Sequence, residues 1–193
     1  MTEPVTILLS TRNRGKLVEL QHLLGDFPAR LLTAEDAGLG HLDVAEPGET
    51  LLENATLKAL AYGQASGLPT LSDDSGLFVE ALGGLPGVNT AYYGGPAKLV
   101  AVLEGIPAPR RAYFACVIVL WTPDGSLQHV EGRIEGQITP ELRGAGGFGY
   151  DPVFMPDGFN ETFAELGVEV KNPISHRGRA VTAALPMLRA LLA

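Results

Sequence analysis

Apolar residues fall along this chain in runs and stripes that alternate between strand-like and helix-like spacing. Residues 5–10 form an apolar run with β-branched members, which predicts a buried strand. From residue 15 to 24, Leu17, Leu20, Leu23 and Leu24 share one helical face. Residues 30–33 predict a second strand. Thr50 opens a helix: Thr50-Leu-Leu-Glu53 has capping-box spacing, and Leu51, Leu52, Ala55, Ala59 and Tyr62 carry an apolar face towards a stop near Gly67 and Pro69.

A short strand is expected at residues 70–72, a Gly/Pro-rich loop at 83–95 and a short helix at 97–103. Residues 113–121 and 127–134 read as strands joined through the turn signal Pro123-Asp-Gly-Ser126. Residues 144–149 form a glycine-rich loop and 153–155 a brief strand. The last helix is expected over 181–192, with Pro186 in its first turns or at a kink. Interleaved strands and helices plus a hairpin predict an α/β fold with a mixed sheet.

At 193 residues, 46% of them apolar, the chain is long enough for one unit spanning 1–193 around a real core. No apolar run reaches the length of a membrane span. The start, Met1-Thr-Glu-Pro, lacks the basic opening of a signal peptide. The single cysteine, Cys116, lies in an apolar run and reads as a small buried hydrophobe. These features point to the cytoplasm. A net charge of −8 makes the chain a poor partner for nucleic acid. It has only four lysines, and three of them (Lys16, Lys58 and Lys171) fall inside segments with candidate chemistry.

There are five such segments. Ser10-Thr-Arg-Asn-Arg-Gly-Lys16 lies between a strand and a helix, where backbone N–H groups favour phosphate. The glycine spacing of a Walker A loop is absent. In Glu46-Pro-Gly-Glu-Thr-Leu-Leu-Glu-Asn-Ala-Thr-Leu-Lys58, Asn54 and Lys58 share a helix face and Glu46 lies within reach of a metal. Leu71-Ser-Asp-Asp-Ser-Gly76 sets two carboxylates after a short strand, a common metal or acid–base arrangement, and magnesium prefers a few carboxylates with phosphate oxygens and water. Neighbouring side chains of an extended chain point opposite ways, so Asp73 and Asp74 are expected to have different tasks. Gly144-Ala-Gly-Gly-Phe-Gly-Tyr-Asp-Pro152 contains Gly-x-Gly-x-x-Gly, but no helix is expected after it, so it suits a mobile base-stacking loop better than a dinucleotide fingerprint. Lys171-Asn-Pro-Ile-Ser-His-Arg177 reads as a loop with three clustered donors, one of them an arginine whose fork matches a 6-oxopurine edge.

In order, Thr-x-Asn-x-x-Lys, Glu-Asn-Ala-x-x-Lys-Ala, Asp-Asp-Ser-Gly, Gly-Gly-Phe-Gly-Tyr-Asp-Pro and Ser-His-Arg closely resemble the inosine/xanthosine triphosphate pyrophosphatase family, from the first strand to the last helix. The resemblance implies a homodimer with an elongated mixed sheet flanked by helices, and two lobes around a central substrate cleft. It implies Mg2+-dependent hydrolysis of the purine nucleoside triphosphates ITP, dITP and XTP to monophosphate and pyrophosphate. It assigns Thr11, Arg12, Asn13, Arg14, Gly15, Lys16 and Lys58 to the phosphates, with Lys58 also catalytic. It assigns Glu46, Asp74 and, less firmly, Asp73 to the metal, with Asp74 also the proton acceptor. It assigns Ser75, Phe148, Gly149, Tyr150, Asp151, Lys171, His176 and Arg177 to substrate. An ordinary aspartate pKa, about 4, would keep Asp74 ionised at neutral pH.

Two departures stand out. Many members of that family have Thr-Gly-Asn where this chain has Thr11-Arg12-Asn13, and Ser-Ala-Arg-Tyr where it has Thr90-Ala-Tyr-Tyr93. Two rival readings are a related triphosphate pyrophosphatase acting on modified pyrimidines and a non-catalytic nucleotide sensor. The Ser-His-Arg ending counts against the first and the Asp73-Asp74 pair against the second.

Overall fold

Ile7, Leu8 and Leu9 alternate between the two faces of the first strand. In the computed structural model, which describes residues 4–192, these residues lie in β1 (Thr6–Leu9) and are almost fully buried. Met1–Glu3, the start read above as unlike a signal peptide, lie outside the described residues. Ile7 and Leu9 pack with Leu20 and Leu24, at the end of α1 (Arg14–Leu23), and with Ala184 and Leu188 of α5 (His176–Ala190). Leu8 points the other way, against Tyr62 of α2 (Leu51–Ser66). Each fully buried leucine contributes about 1.5–3 kcal/mol, so both helical layers are held firmly to the strand.

The helix ends follow the sequence signals. Asn13 caps α1, its side-chain oxygen accepting the Lys16 N–H at 3.1 Å. Thr50 and Glu53 form the expected capping box on α2, which closes at Gly67 with φ 68°. β2 (Arg30–Thr33) pairs in parallel with β1, Thr6 opposite Arg30.

β3 runs over Thr70–Val79, far beyond the three residues expected. Its first part pairs in parallel with β1, Leu9 opposite Leu71, and its end pairs antiparallel with the two-residue β4 (Pro86–Gly87), Leu77 opposite Gly87. The Asp-Asp-Ser-Gly stretch therefore lies inside a strand and not in a turn after one. β5 (Arg111–Trp121) and β6 (Leu127–Ile138) flank the expected turn, and β7 (Phe154–Pro156) pairs antiparallel with β6. The described strands form one seven-stranded mixed sheet in the order β2-β1-β3-β5-β6-β7, with β4 on β3.

The described chain divides into two compact units, each with its own core. One holds residues up to 74, 116–131 and from 180 onward; the other holds 75–115 and 132–179. The second core gathers Leu77, Leu99 from α3 (Gly95–Val102), Phe114, Ile134, Phe154 and Phe163, with the Phe114 and Phe154 rings edge to face at 4.8 Å.

Three expectations are corrected. The region 83–95 is not wholly loop: it contains β4 and a 3-10 turn at Thr90–Tyr92. Residues 171–177 are not a surface loop: Lys171 lies in α4 (Val168–Ile174), and His176 and Arg177 open α5. Pro186 accordingly sits in the interior of α5 and not in its first turns. Cys116 is fully buried, as expected. Among the described residues no helix is long and apolar enough to cross a membrane.

Candidate active site

In the first unit, β3 alternation separates the paired aspartates. Asp73 lies on the same side as Leu71, towards α1, and Asp74 on the opposite side, towards α2. Lys16, in the first turn of α1, reaches both: its Nζ is 3.4 Å from Asp73 Oδ2 and 3.8 Å from Asp74 Oδ1. Lys58 of α2 donates to the same Asp74 Oδ1 at 3.0 Å and to Glu46 Oε2 at 2.7 Å. Two ammonium groups thus stand among three carboxylates. Asp73 also accepts the weak Cys116 thiol donor at 3.9 Å.

Burial shapes the titration of this group. It pushes the Asp74 carboxyl above the ordinary aspartate range, against Lys58 and Lys16, which pull it down. Burial also disfavours the Lys58 ammonium, but Asp74, Asp73 and Glu46 together outweigh it and leave its pKa raised.

The loop ahead of α1 is ordered by its own side chains. Thr11 Oγ1 accepts the Asn13 N–H at 3.2 Å, and Arg12 pairs with Asp43 at 2.6 Å. Arg14 and Gly15 lie in the first turn of α1. Asn54 accepts the Gly48 N–H at 2.8 Å, fixing the chain between Glu46 and α2.

Among the described residues, no three His, Cys, Asp or Glu side chains are gathered as a metal group. The donor chemistry nevertheless suits a hard cation. Asp74 Oδ2 is buried and has no hydrogen-bond partner among the described residues, and Glu46 offers a second carboxylate to the same neighbourhood. Magnesium takes few protein carboxylates and completes its shell with phosphate oxygens and water.

In the second unit, a buried ion pair organises the aromatic loop. Lys171 Nζ donates to Asp151 Oδ2 at 2.5 Å, and the same oxygen accepts the Phe148 N–H at 2.8 Å. Gly147 turns the chain there with φ 69°, and a Cβ on it would stand 2.0 Å from that oxygen. Lys171 Nζ and the Arg177 guanidinium lie 5.3 and 5.9 Å from the Phe148 ring centre. Arg177, only 1% exposed, donates through Nη2 to Ser75 Oγ at 3.0 Å. The His176 ring stacks on Phe114 at 4.5 Å.

Tyr150 is buried, and its hydroxyl donates to Thr90 O at 3.1 Å and accepts the Gly95 N–H at 3.2 Å. It ties the Thr90-Ala-Tyr-Tyr93 segment in place, while Tyr92 itself is 83% exposed. The glycine loop is pinned as well: Gly146 N–H donates to Ala164 O at 3.1 Å, and Arg143 pairs with Glu165 at 2.9 Å and donates to Asn160 O at 2.8 Å. Gly149, with φ 60°, sits between the two aromatic residues.

Sequence reasoning overlooked the joint between α4 and α5. Ser175 Oγ donates to Asn172 O at 3.1 Å and accepts the Gly178 N–H at 3.0 Å. A Cβ at Gly178 would stand 1.8 Å from Asn172 O, so only glycine permits this approach. The available signal was a serine three residues before a glycine, the spacing of a side-chain-capped helix start. Arg143 carried no such signal.

The sequence profile of the Ham1 family matches residues 7–187. The chain is 46% identical over 193 residues to the dITP/XTP pyrophosphatase of Thermus thermophilus, covering 96% of this chain and 92% of that one. It is 44% identical over 198 residues to the dITP/XTP pyrophosphatase of Streptomyces coelicolor, covering 96% and 98%. Among solved structures, a HAM1 protein from Coxiella burnetii aligns with a TM-score of 0.85 at 36% identity, covering 96% of this chain and 99% of that one. A nucleoside-triphosphatase / dITP/XTP pyrophosphatase from Mycobacterium abscessus aligns with a TM-score of 0.74 at 40% identity, covering 94% and 100%.

Proposed function

The chain belongs to the Ham1 family, and from that premise we propose that it hydrolyses non-standard purine nucleoside triphosphates (dITP, ITP and XTP) to monophosphate and pyrophosphate. The observation that carries this reading is Asp74. One of its oxygens is shared by Lys16 and Lys58, and the other is buried without a hydrogen-bond partner among the described residues.

Asp74 orients and deprotonates the attacking water, and a pKa raised by burial brings it closer to the operating pH, where a general base works best. Lys16 and Lys58 neutralise charge on the phosphates; Thr11, Arg12, Asn13, Arg14 and Gly15 frame that end. Glu46 and Asp74 hold Mg2+, which supplies further charge neutralisation on the phosphates. Asp73, enclosed with Lys16 and Cys116, holds Lys16 in place.

Phe148 stacks on the base, Gly149 and Tyr150 shape its loop, and Ser75, Asp151, Lys171, His176 and Arg177 hold the nucleoside. Donors facing O6 accept inosine and xanthosine but meet the amino donor of adenosine, and an unpaired buried donor costs roughly 1–3 kcal/mol. Residues 1–193 are read as a single nucleoside-triphosphate pyrophosphatase domain. We place the enzyme in the cytoplasm as a homodimer.

The test is pyrophosphate release from a panel of triphosphates with and without magnesium. Release from dITP, ITP and XTP, much weaker from ATP and absent in excess chelator, is expected. Equal turnover of pyrimidine and purine triphosphates would overturn the substrate reading, and binding without any release would overturn the enzyme reading.

A further inference from the structure

The charge balance of the first unit leaves one cation in a distinct position. Lys16 and Lys58 stand among Glu46, Asp73 and Asp74, one carboxylate more than there are ammonium groups, and a triphosphate adds several more negative charges. Both lysine side chains are largely enclosed, at 14% and 12% exposure, and each faces two carboxylates. Arg12 differs. It meets Asp43 at 2.6 Å with side-chain exposures of 47% for the arginine and 81% for the aspartate.

An exposed ion pair contributes little in water, so Arg12 can change partners at small cost, whereas the enclosed lysines cannot. Arg12 lies in the loop that leads through Thr11 and Asn13 into α1, and its planar fork matches phosphate oxygens two at a time. Asp43 is held in a fixed segment: the Tyr62 hydroxyl donates to the neighbouring Leu42 O at 2.9 Å, and Glu46 follows three residues on.

We propose that Asp43 is a resident counter-ion which Arg12 exchanges for the outer phosphates of the substrate, making Arg12 a contact to the pyrophosphate half. No covalent bond forms or breaks; one anion replaces another and Asp43 is released to solvent. The inference rests on the proposed function above and adds to it a division of labour: Arg12 reads the part that leaves, not the part retained as monophosphate.

The experiment compares KM for dITP, inhibition by inorganic pyrophosphate and inhibition by IMP in the parent, Arg12→Gln, Asp43→Asn and the double variant. Thermal melting of each checks that these exposed substitutions leave the fold intact. Arg12→Gln is expected to raise KM and weaken pyrophosphate inhibition roughly tenfold, the worth of a hydrogen bond to a charged group, while IMP inhibition holds steady. Asp43→Asn is expected to tighten KM and pyrophosphate inhibition by up to about fivefold, the upper range for a surface pair, and to do nothing in the Arg12→Gln background. The inference is overturned if Arg12→Gln weakens IMP and pyrophosphate alike or neither, or if Asp43→Asn acts equally with and without the arginine. A parent protein that does not turn over dITP would overturn the proposed function itself.

Discussion

Arg177 Nη2 and Ser75 Oγ meet at 3.0 Å, joining the first turn of α5 to the middle of β3 across 102 residues of sequence. The hydroxyl helps to fix the plane of the guanidinium, which lies 5.9 Å from the Phe148 ring centre. Plane matters because a fork reads the O6/N7 edge of a 6-oxopurine only when coplanar with it.

Arg177→Ala is therefore expected to shrink the kcat/KM preference for ITP over ATP by about 5- to 150-fold, the worth of a bidentate base contact. Ser75→Ala should shift the same ratio in the same direction by less. Lys16→Ala should lower both substrates together, because phosphate contacts carry no base information. Steady-state kinetics on both nucleotides distinguish these outcomes, and an unchanged ratio in Arg177→Ala would remove the arginine from base selection.

Asp74→Asn is expected to cut kcat by about 10²–10⁴, the usual contribution of a general base. The amide also leaves the Lys58 ammonium with one carboxylate fewer, so its pKa should fall towards the ordinary lysine value. Turnover within a few-fold of the parent would rule out Asp74 as the base.

The raised pKa of Asp74 fixes a pH dependence. Its folded value lies above its unfolded one, so the protonated form is the one favoured by folding. The associated stability is fully present below the ordinary aspartate value and is lost as pH rises through the raised one. With Asp74 as the proposed base, activity is expected to run the opposite way: the ionised carboxylate is lost on acidification at a higher pH than an ordinary aspartate would allow. Carboxyl NMR titration of the metal-free protein should place Asp74 above the exposed aspartates such as Asp124, whose pKa is lowered by hydrogen bonds from Thr122 and Ser126. A midpoint at or below that of Asp124 would contradict this.

Gly178→Ala should destabilise the fold by about 1–3 kcal/mol, the usual cost of overpacking, because a Cβ would meet the backbone oxygen of Asn172 at 1.8 Å. A backbone atom cannot swing aside as a side chain would. Thermal melting reads the effect; an unaltered Tm would mean that α4 and α5 can separate without cost.

Much of the fold was legible where local chemistry decides it. The capping box on α2, the extent of β2 and the mixed sheet follow from side-chain spacing alone. β3 was cut short because Asp73 and Asp74 look like the end of a buried strand. Their burial is made possible by lysines from α1 and α2, which no local pattern announces. The start of α5 was hidden for a related reason. Its apolar stripe begins at Ala180 and Val181, while His176 stacks on Phe114 of β5 and Arg177 lies beside Phe148, contacts that no helical spacing announces. Pro173 lies inside α4, one residue before its end, and offers no N–H to the preceding turn. The candidate site residues are named from motif spacing, but contacts among them, such as Asp151 holding Lys171 and the Phe148 backbone, depend on distances that spacing does not give.

β3 is pinned at both ends, by Leu9 opposite Leu71 and by Leu77 opposite Gly87. The six steps between these anchors are a fixed ruler carrying Asp73, Asp74 and Ser75. Losing or gaining one residue would turn every intervening side chain over, sending the carboxylate now beside Lys58 towards Cys116 instead. Losing or gaining two would restore the facing but slide it by about 6.6 Å, more than two hydrogen-bond lengths. Substitutions in this stretch can be graded in severity, whereas insertions and deletions cannot.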